Sequence, residues 1–99
     1  MKMAWLVCNS FHAETLMGVL RQCNIDYFTR LDHAMGKGHG TEPHLGAGAY
    51  ASTNTVLMIA FQEDGPLEAL IAGIQEANKS IPRAADRIRL FQLPLDRIV

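Results

Sequence analysis

The apolar residues of this chain recur with two periods, one typical of β-strands and one typical of α-helices. Continuous apolar or β-forming runs predict four strands, at residues 3–8, 26–32, 56–61 and 88–95. The first and third of these runs are wholly apolar, which is typical of strands covered on both faces. Between the strands, apolar residues at helical spacing predict amphipathic helices over residues 12–24 and 65–81. Pro66 suits the first turn of the second helix, and Pro82 ends it.

The order of these elements, β-α-β followed by β-α-β, predicts an α+β fold. Two such units in under 100 residues favour a ferredoxin-like βαββαβ sandwich, in which both helices cover one face of a four-stranded antiparallel sheet. The two apolar strands should be central, and Pro94 places the last strand at an edge. Because an apolar sheet face cannot stay in water, we expect the uncovered face to be buried by oligomerisation.

Residues 33–54 do not fit this sandwich. The segment holds five of the eight glycines and three of the four histidines, and it contains few large apolar residues. A connection of this length between neighbouring strands is uncommon in a small domain and is usually functional or mobile. Its ends could extend the second and third strands as a hairpin arm. We therefore expect function to lie in this glycine-rich loop.

Length and charge narrow the classes of function. The 99 residues suit a single domain, 1–99, that includes loop 33–54, and nine basic against ten acidic side chains give a net charge of −1. With no overall positive charge, the chain is not expected to bind nucleic acid. Its apolar runs are too short to cross a bilayer, so we expect a cytoplasmic protein without direct membrane insertion. Cys8 and Cys23 are expected to be reduced and buried.

Two segments could bind an anion. Glycines in the stretch Gly36-Lys37-Gly38 would bring backbone N–H groups close to a phosphate, with the lysine adding charge, although the same glycines could simply permit a turn. Residues 79–89 contain four of the nine basic side chains, among them Arg87 and Arg89. These guanidinium groups could bind phosphate or carboxylate, or could be solvated or paired across an interface.

The loop histidines suggest a divalent metal as another ligand. His33, His39 and His44 could gather around an ion together with Glu42, but their spacing is irregular and solvated histidines are the simpler interpretation. No nucleophile with a nearby base is found at a known catalytic spacing. We therefore expect a binding protein and not an enzyme.

Taken in order, several short stretches resemble the PII signal-transduction family over essentially the whole chain. These are Phe11 after the first strand, Lys37-Gly38-His39 and Thr41-Glu42 at the entry to a long loop, Tyr50 within it, and the closing strand from Phe91 to Val99. The stretch between His39 and Val56 is about as long as the family's T-loop. The chain thus resembles a divergent PII-like protein.

This resemblance implies a homotrimer that binds small effectors in clefts between subunits. Typical effectors are adenine nucleotides, and we extend the expectation to small anions. Gly36, Lys37 and Gly38 would lie at the base of the T-loop, and Arg89 falls where the family has a phosphate-binding lysine, with Arg87 beside it. The family's glycine-aspartate-glycine-lysine turn is replaced here by residues 86–89.

The resemblance also implies a regulated partner, such as a transporter or an enzyme. The T-loop would engage it, so the residues expected to contact the partner are His39, Thr41, Glu42 and Tyr50. An alternative is a CutA-like trimer, which has a similar core and would bind a divalent metal through His39 and His44.

Overall fold

The computed structural model describes residues 1–37 and 53–99, which form the predicted α+β sandwich. Its strands are β1 (Lys2–Asn9), β2 (Thr29–Ala34), β3 (Asn54–Phe61) and β4 (Arg89–Pro94). The helices are α1 (Ala13–Gln22) and α2 (Asp64–Asn78), and two short 3₁₀ helices are η1 (Ser10–His12) and η2 (Ala84–Asp86). The predicted βαββαβ order is confirmed.

The four strands form one antiparallel sheet in the order β2-β3-β1-β4. The two solidly apolar strands, β1 and β3, are its centre, and their pairing runs from Lys2 opposite Phe61 to Asn9 opposite Asn54. Strands β2 and β4 are the edges, and Pro94 is the last residue of β4. The predicted placement of central and edge strands is therefore confirmed.

The core lies between the sheet and the two helices. Alternate residues of the central strands point toward the helices, because successive side chains of a strand lie on opposite faces. The largest fully buried apolar side chains come from both layers and are Leu6, Leu16, Leu20, Leu57, Ile59, Phe61, Leu67 and Leu70.

The opposite face of the sheet is apolar and is not covered by any of the described residues. It carries Trp5 with its two cross-strand neighbours, Met58 of β3 and Phe91 of β4. Phe91 is 50% exposed and Leu93 is 46% exposed, and Leu31 on β2 is similarly open. The apolar sequences of β1 and β3 predicted that both faces of these strands are covered, and residues 1–37 and 53–99 cover one face.

Strand β2 begins later than its sequence predicts. Helix α1 is followed by Asn24 in the left-handed region (φ 57°), and the N–H of Ile25 donates to the Leu20 carbonyl at 2.9 Å. Ile25 is then buried in the core, while Tyr27 packs edge-on against Phe61 at a centroid distance of 6.0 Å. Residues 26–28 thus leave the helix without joining the sheet, although their side chains favour strands.

The strands also continue into the segment that was predicted as a loop. Strand β2 extends to Ala34 and β3 begins at Asn54, so residues at both ends of 33–54 belong to the sheet. The pairing is irregular between Leu31 and Ala34, where His33 takes a positive φ of 61°. The predicted hairpin extension is present over these few residues.

Helix α2 ends at Asn78, three residues before the predicted end at 81. The N–H groups of Lys79, Ser80 and Ile81 each donate to a carbonyl three residues back, so the last turn tightens. Ile81 nevertheless stays buried, which is why the helical apolar pattern continues through it.

Candidate functional site

An open cleft of about 320 Å³ lies where β1 ends and β4 begins. It brings together four of the side chains or backbone positions that the sequence singled out for an effector: Gly36, Lys37, Arg87 and Arg89. Its walls are completed by residues of the central strands and of the segment before β4, among them Val7, Cys8, Asn9, Met35, Asn54, Val56, Ala85 and Phe91. Two separate stretches of sequence thus meet in one cleft.

Ile88 explains how the two arginines reach the same cleft. Its side chain is 3% exposed and belongs to the core, so the residues on either side of it point outward. Arg87 and Arg89 are both exposed at the cleft. Ile88 therefore anchors this segment from the inside.

The backbone of Ile88 is held by the side chain of Asn78 at the end of α2. The Asn78 amide donates through Nδ2 to the Ile88 carbonyl and accepts through Oδ1 from the Ile88 N–H, both at 2.9 Å. This pair of bonds satisfies both polar groups of a buried residue. The position of the segment between α2 and β4 is consequently fixed by an amide clamp.

The guanidinium of Arg87 is also held by backbone groups. Its Nε donates to the Ile81 carbonyl at 3.0 Å, and a terminal nitrogen lies 3.4 Å from the Pro82 carbonyl. Guanidinium has five N–H donors in a fixed plane. The contacts to Ile81 and Pro82 therefore orient Arg87 and leave further donor hydrogens available for an anion.

Asn9 lines the cleft and is bonded to Asp86 of η2. Asn9, the last residue of β1, is 9% exposed and donates through Nδ2 to Asp86 Oδ1 at 2.9 Å. Its Oδ1 accepts from the Phe11 N–H at 3.0 Å and so caps η1. Asp86 also lies 3.8 Å from Arg83 Nε. No sequence pattern links Asn9 to Asp86, which is 77 positions away.

Gly36 lies close to the start of β3. A Cβ atom at this position would come within 2.7 Å of Asn54 Nδ2, so any larger residue would have to displace that amide. Next to it, Lys37 is exposed and lines the cleft. The close approach gives Gly36 a structural reason to be glycine, beside the phosphate-binding role predicted for it.

A second polar cluster ties the ends of β1, β2 and β3 together. Arg30 Nε contacts both carboxylate oxygens of Asp32, at 3.0 and 3.2 Å, and the buried hydroxyl of Thr55 donates to Asp32 at 3.0 Å. The hydrogen bond from Arg30 lowers the pKa of Asp32 most, and the bond from Thr55 lowers it further. Thr55 is linked in turn to Ser10, whose backbone N–H donates to Thr53 at 2.8 Å.

Both cysteines are free thiols, as the sequence predicted, and Cys8 is buried while Cys23 is partly so. Burial raises the pKa of Cys8 to about 11, with smaller opposing effects of Arg30 and Asp32. The thiol of Cys8 is therefore protonated at neutral pH, which makes it a poor nucleophile or metal ligand.

Several predicted site residues lie outside the described part of the chain. These are Gly38, His39, Thr41, Glu42, His44 and Tyr50. Among residues 1–37 and 53–99, no three His, Cys, Asp or Glu side chains are grouped so that they could hold a metal ion. His33, which is described, is exposed on β2. The metal site at His39 and His44 stays a prediction.

A second cavity of about 430 Å³ lies at the opposite end of the sheet, where β3 ends and α2 begins. It is lined by Tyr27, Ala60, Gln62, Glu63 and Pro66, and none of these residues was predicted as part of a site.

Within the described residues, no helix is long and apolar enough to cross a membrane.

Comparison with known proteins identifies the fold. No protein-family model matches the chain, and no curated protein matches it. Among solved structures, CPII from Thiomonas intermedia bound to ADP and bicarbonate has a TM-score of 0.68 at 16% identity, with 97% of this chain and 88% of that chain covered.

Two further structures of that protein give the same result. CPII bound to ADP, AMP and bicarbonate, described as a nitrogen regulatory PII-like protein, has a TM-score of 0.68 at 14% identity. CPII bound to ADP, AMP and acetate has a TM-score of 0.64 at 14% identity, and both comparisons cover 97% of this chain and 88% of that one. The resemblance seen in the sequence is confirmed at the level of the fold, and the chain has the fold of the PII-like proteins.

Proposed function

We propose that this protein is a PII-like regulator that binds a small anionic effector, an adenine nucleotide or a small anion such as bicarbonate, in the cleft at Gly36, Lys37, Arg87 and Arg89. The observation that carries the proposal is the meeting of three cationic side chains and a glycine in one cleft of about 320 Å³. This volume lies at the lower end of the range of small-molecule sites. The ligands in the CPII structures, ADP, AMP, bicarbonate and acetate, have the matching charge.

The chemistry of the cleft suits phosphate or carboxylate groups. Arginine binds such anions through two parallel N–H···O bonds, while lysine adds a point charge. Because Arg87 is already oriented by the Ile81 and Pro82 carbonyls, little side-chain freedom would be lost when an anion binds. The described residues leave the cleft open, which supports a site completed by a neighbouring subunit.

The uncovered sheet face supports a homotrimer as the working state. Trp5, Met58 and Phe91 form a continuous apolar row across three strands. A monomer rarely exposes such a patch without a partner. We propose that three copies bury this face together, as the resemblance to PII proteins implies.

Regulation of a partner protein follows as the second half of the proposal. Lys37 leads into residues 38–52, which include the predicted contact residues His39, Thr41, Glu42 and Tyr50. An effector bound at Lys37 would touch the entry to this segment, so binding and partner contact could be linked there. The partner would be a transporter or an enzyme, and the protein itself would not be a catalyst.

The test is calorimetric titration of the purified protein with ADP, AMP and bicarbonate. The variant Arg87→Gln/Arg89→Gln should lose at least about tenfold in affinity for ADP, because two charge-assisted contacts are removed. Arg97→Gln is the matched control, since Arg97 is exposed and does not line the cleft. Binding of none of the three ligands, or equal affinity in the double variant, would refute the proposed function.

A further inference from the structure

Asn9 is one of two buried polar residues in the described part of the chain, the other being Thr55. A buried amide is costly unless its polar atoms are hydrogen-bonded. Both ends of the Asn9 side chain are bonded, Oδ1 to the Phe11 N–H at 3.0 Å and Nδ2 to Asp86 at 2.9 Å. The residue therefore joins two segments that are 77 positions apart in sequence.

The cap on η1 does not by itself require asparagine. Serine, threonine or aspartate would accept the Phe11 N–H equally well, since a cap needs only an oxygen acceptor. Only asparagine among these residues also offers an amide donor, and Asp86 is the group that receives it. The second bond thus explains the residue type at position 9.

The segment at the other end of this bond is anchored at its flanks by the buried Ile81 and Ile88, but not by the side chains of η2 itself. Helix η2 has only three residues and none of them is buried. Between these two apolar anchors, polar contacts such as the Asn9–Asp86 bond hold η2 against the end of β1. Arg87, the next residue, donates its backbone N–H to the Ala84 carbonyl at 3.2 Å, so its placement follows that of η2.

We propose that Asn9 is a positioning residue of the effector cleft, which fixes η2 through Asp86 and so presents Arg87 to the anion. This inference rests on the proposed function, because the affinity it concerns is that of the effector in this cleft. Asn9 need not touch the ligand itself.

The experiment is a double-mutant cycle with Asn9→Asp, Asp86→Asn and the combined variant, each titrated with ADP. Asn9→Asp keeps the cap acceptor on Phe11 but sets two carboxylates face to face. Asp86→Asn keeps an acceptor oxygen for Asn9. The combined variant restores one donor and one acceptor in reversed order and has the net charge of the original protein.

We expect Asn9→Asp alone to lower ADP affinity at least about tenfold. The combined variant should return to within about threefold of the original affinity. The cationic groups around the pair are the same in all four proteins, and they are Lys37, Arg83, Arg87 and Arg89. If Asn9→Asp weakened binding only by adding a negative charge, it would lower the affinity for ADP by the same factor in the original protein and in Asp86→Asn. An equal loss of ADP affinity in those two proteins, or no loss in Asn9→Asp alone, would overturn the inference.

Amide hydrogen exchange provides a readout that does not need a ligand. The N–H groups of Asp86 and Arg87 donate to the carbonyls of Arg83 and Ala84, and their exchange should speed up in Asn9→Asp and recover in the combined variant. Unchanged exchange would overturn the inference even if ADP fails to bind the original protein, whereas the proposed function is refuted separately, when ADP, AMP and bicarbonate all fail to bind. If Asn9→Asp does not fold, Asn9→Ser, which keeps the cap acceptor and removes the amide donor, replaces it as a single variant and should show the same loss of ADP affinity and the same faster exchange.

Discussion

The side-chain amide of Asn78 bonds both the N–H and the carbonyl of Ile88, each at 2.9 Å. A side chain at the end of α2 thereby gives hydrogen-bond partners to the backbone of Ile88, which is buried just before β4 and is not paired in the sheet. The segment bears an arginine on each side of Ile88, so a bond made by a helix residue determines the geometry of the cleft.

Replacing Asn78 should therefore weaken both the fold and the cleft. We expect Asn78→Ala to lower the free energy of unfolding by about 1–3 kcal/mol, because two buried backbone groups lose their partner. Urea denaturation followed by circular dichroism measures this change. Gln75→Ala, an exposed change on the same helix, is the matched control and should have little effect. A loss no larger than that of the control would show that the clamp is not important for stability.

The apolar sheet face should determine the oligomeric state. We expect Phe91→Glu to dissociate the oligomer, because a carboxylate would be buried in an apolar interface. Sedimentation velocity measures the change in mass. Gln92→Glu adds the same charge at the next residue, which points to the other side of β4, and should leave the assembly intact. A monomeric original protein would contradict the proposed trimer.

The two thiols should differ in reactivity. Cys8 is 2% exposed and its pKa is raised to about 11, whereas Cys23 is only partly buried. With Ellman's reagent at pH 8 we expect Cys23 to react first and Cys8 to react only after unfolding. Cys23→Ser isolates the Cys8 signal, and rapid reaction of that variant in the folded state would contradict the burial of Cys8.

Acid should destabilise the protein partly through Asp32. The bonds from Arg30 and Thr55 hold the pKa of this carboxyl below its ordinary value of 3.8, so the folded state binds its proton less readily than the unfolded chain. The resulting stability is present above pH 3.8 and is lost as the pH falls through the lowered pKa. In denaturation measured between pH 2 and 7, the free energy of unfolding should fall less steeply with decreasing pH in Asp32→Asn than in the original protein. An unchanged slope would mean that the ion pair with Arg30 is fully screened by water.

Sequence patterns were sufficient for the architecture. The apolar runs of β1 and β3 and the helical spacing of leucine and isoleucine in α2 follow from periodic burial, which each segment expresses by itself. The same local signals failed at residues 26–28, because Tyr27 and Phe28 favour strands by type but follow the left-handed Asn24 and lie outside the ladder. Local preference was overridden there by the path that the chain must take from α1 to the sheet.

Some residues of the site were likewise indicated by the sequence, and others were found only in the tertiary structure. By itself the sequence determined the fold class and drew attention to Gly36, Lys37, Arg87 and Arg89, since glycine and basic side chains reveal anion chemistry wherever they are placed. Only the tertiary structure decided that these two stretches share a cleft and that Asn9, Asp86 and Asn78 support it. The supporting bonds join residues far apart in the chain, and no local pattern encodes which donor will meet which acceptor.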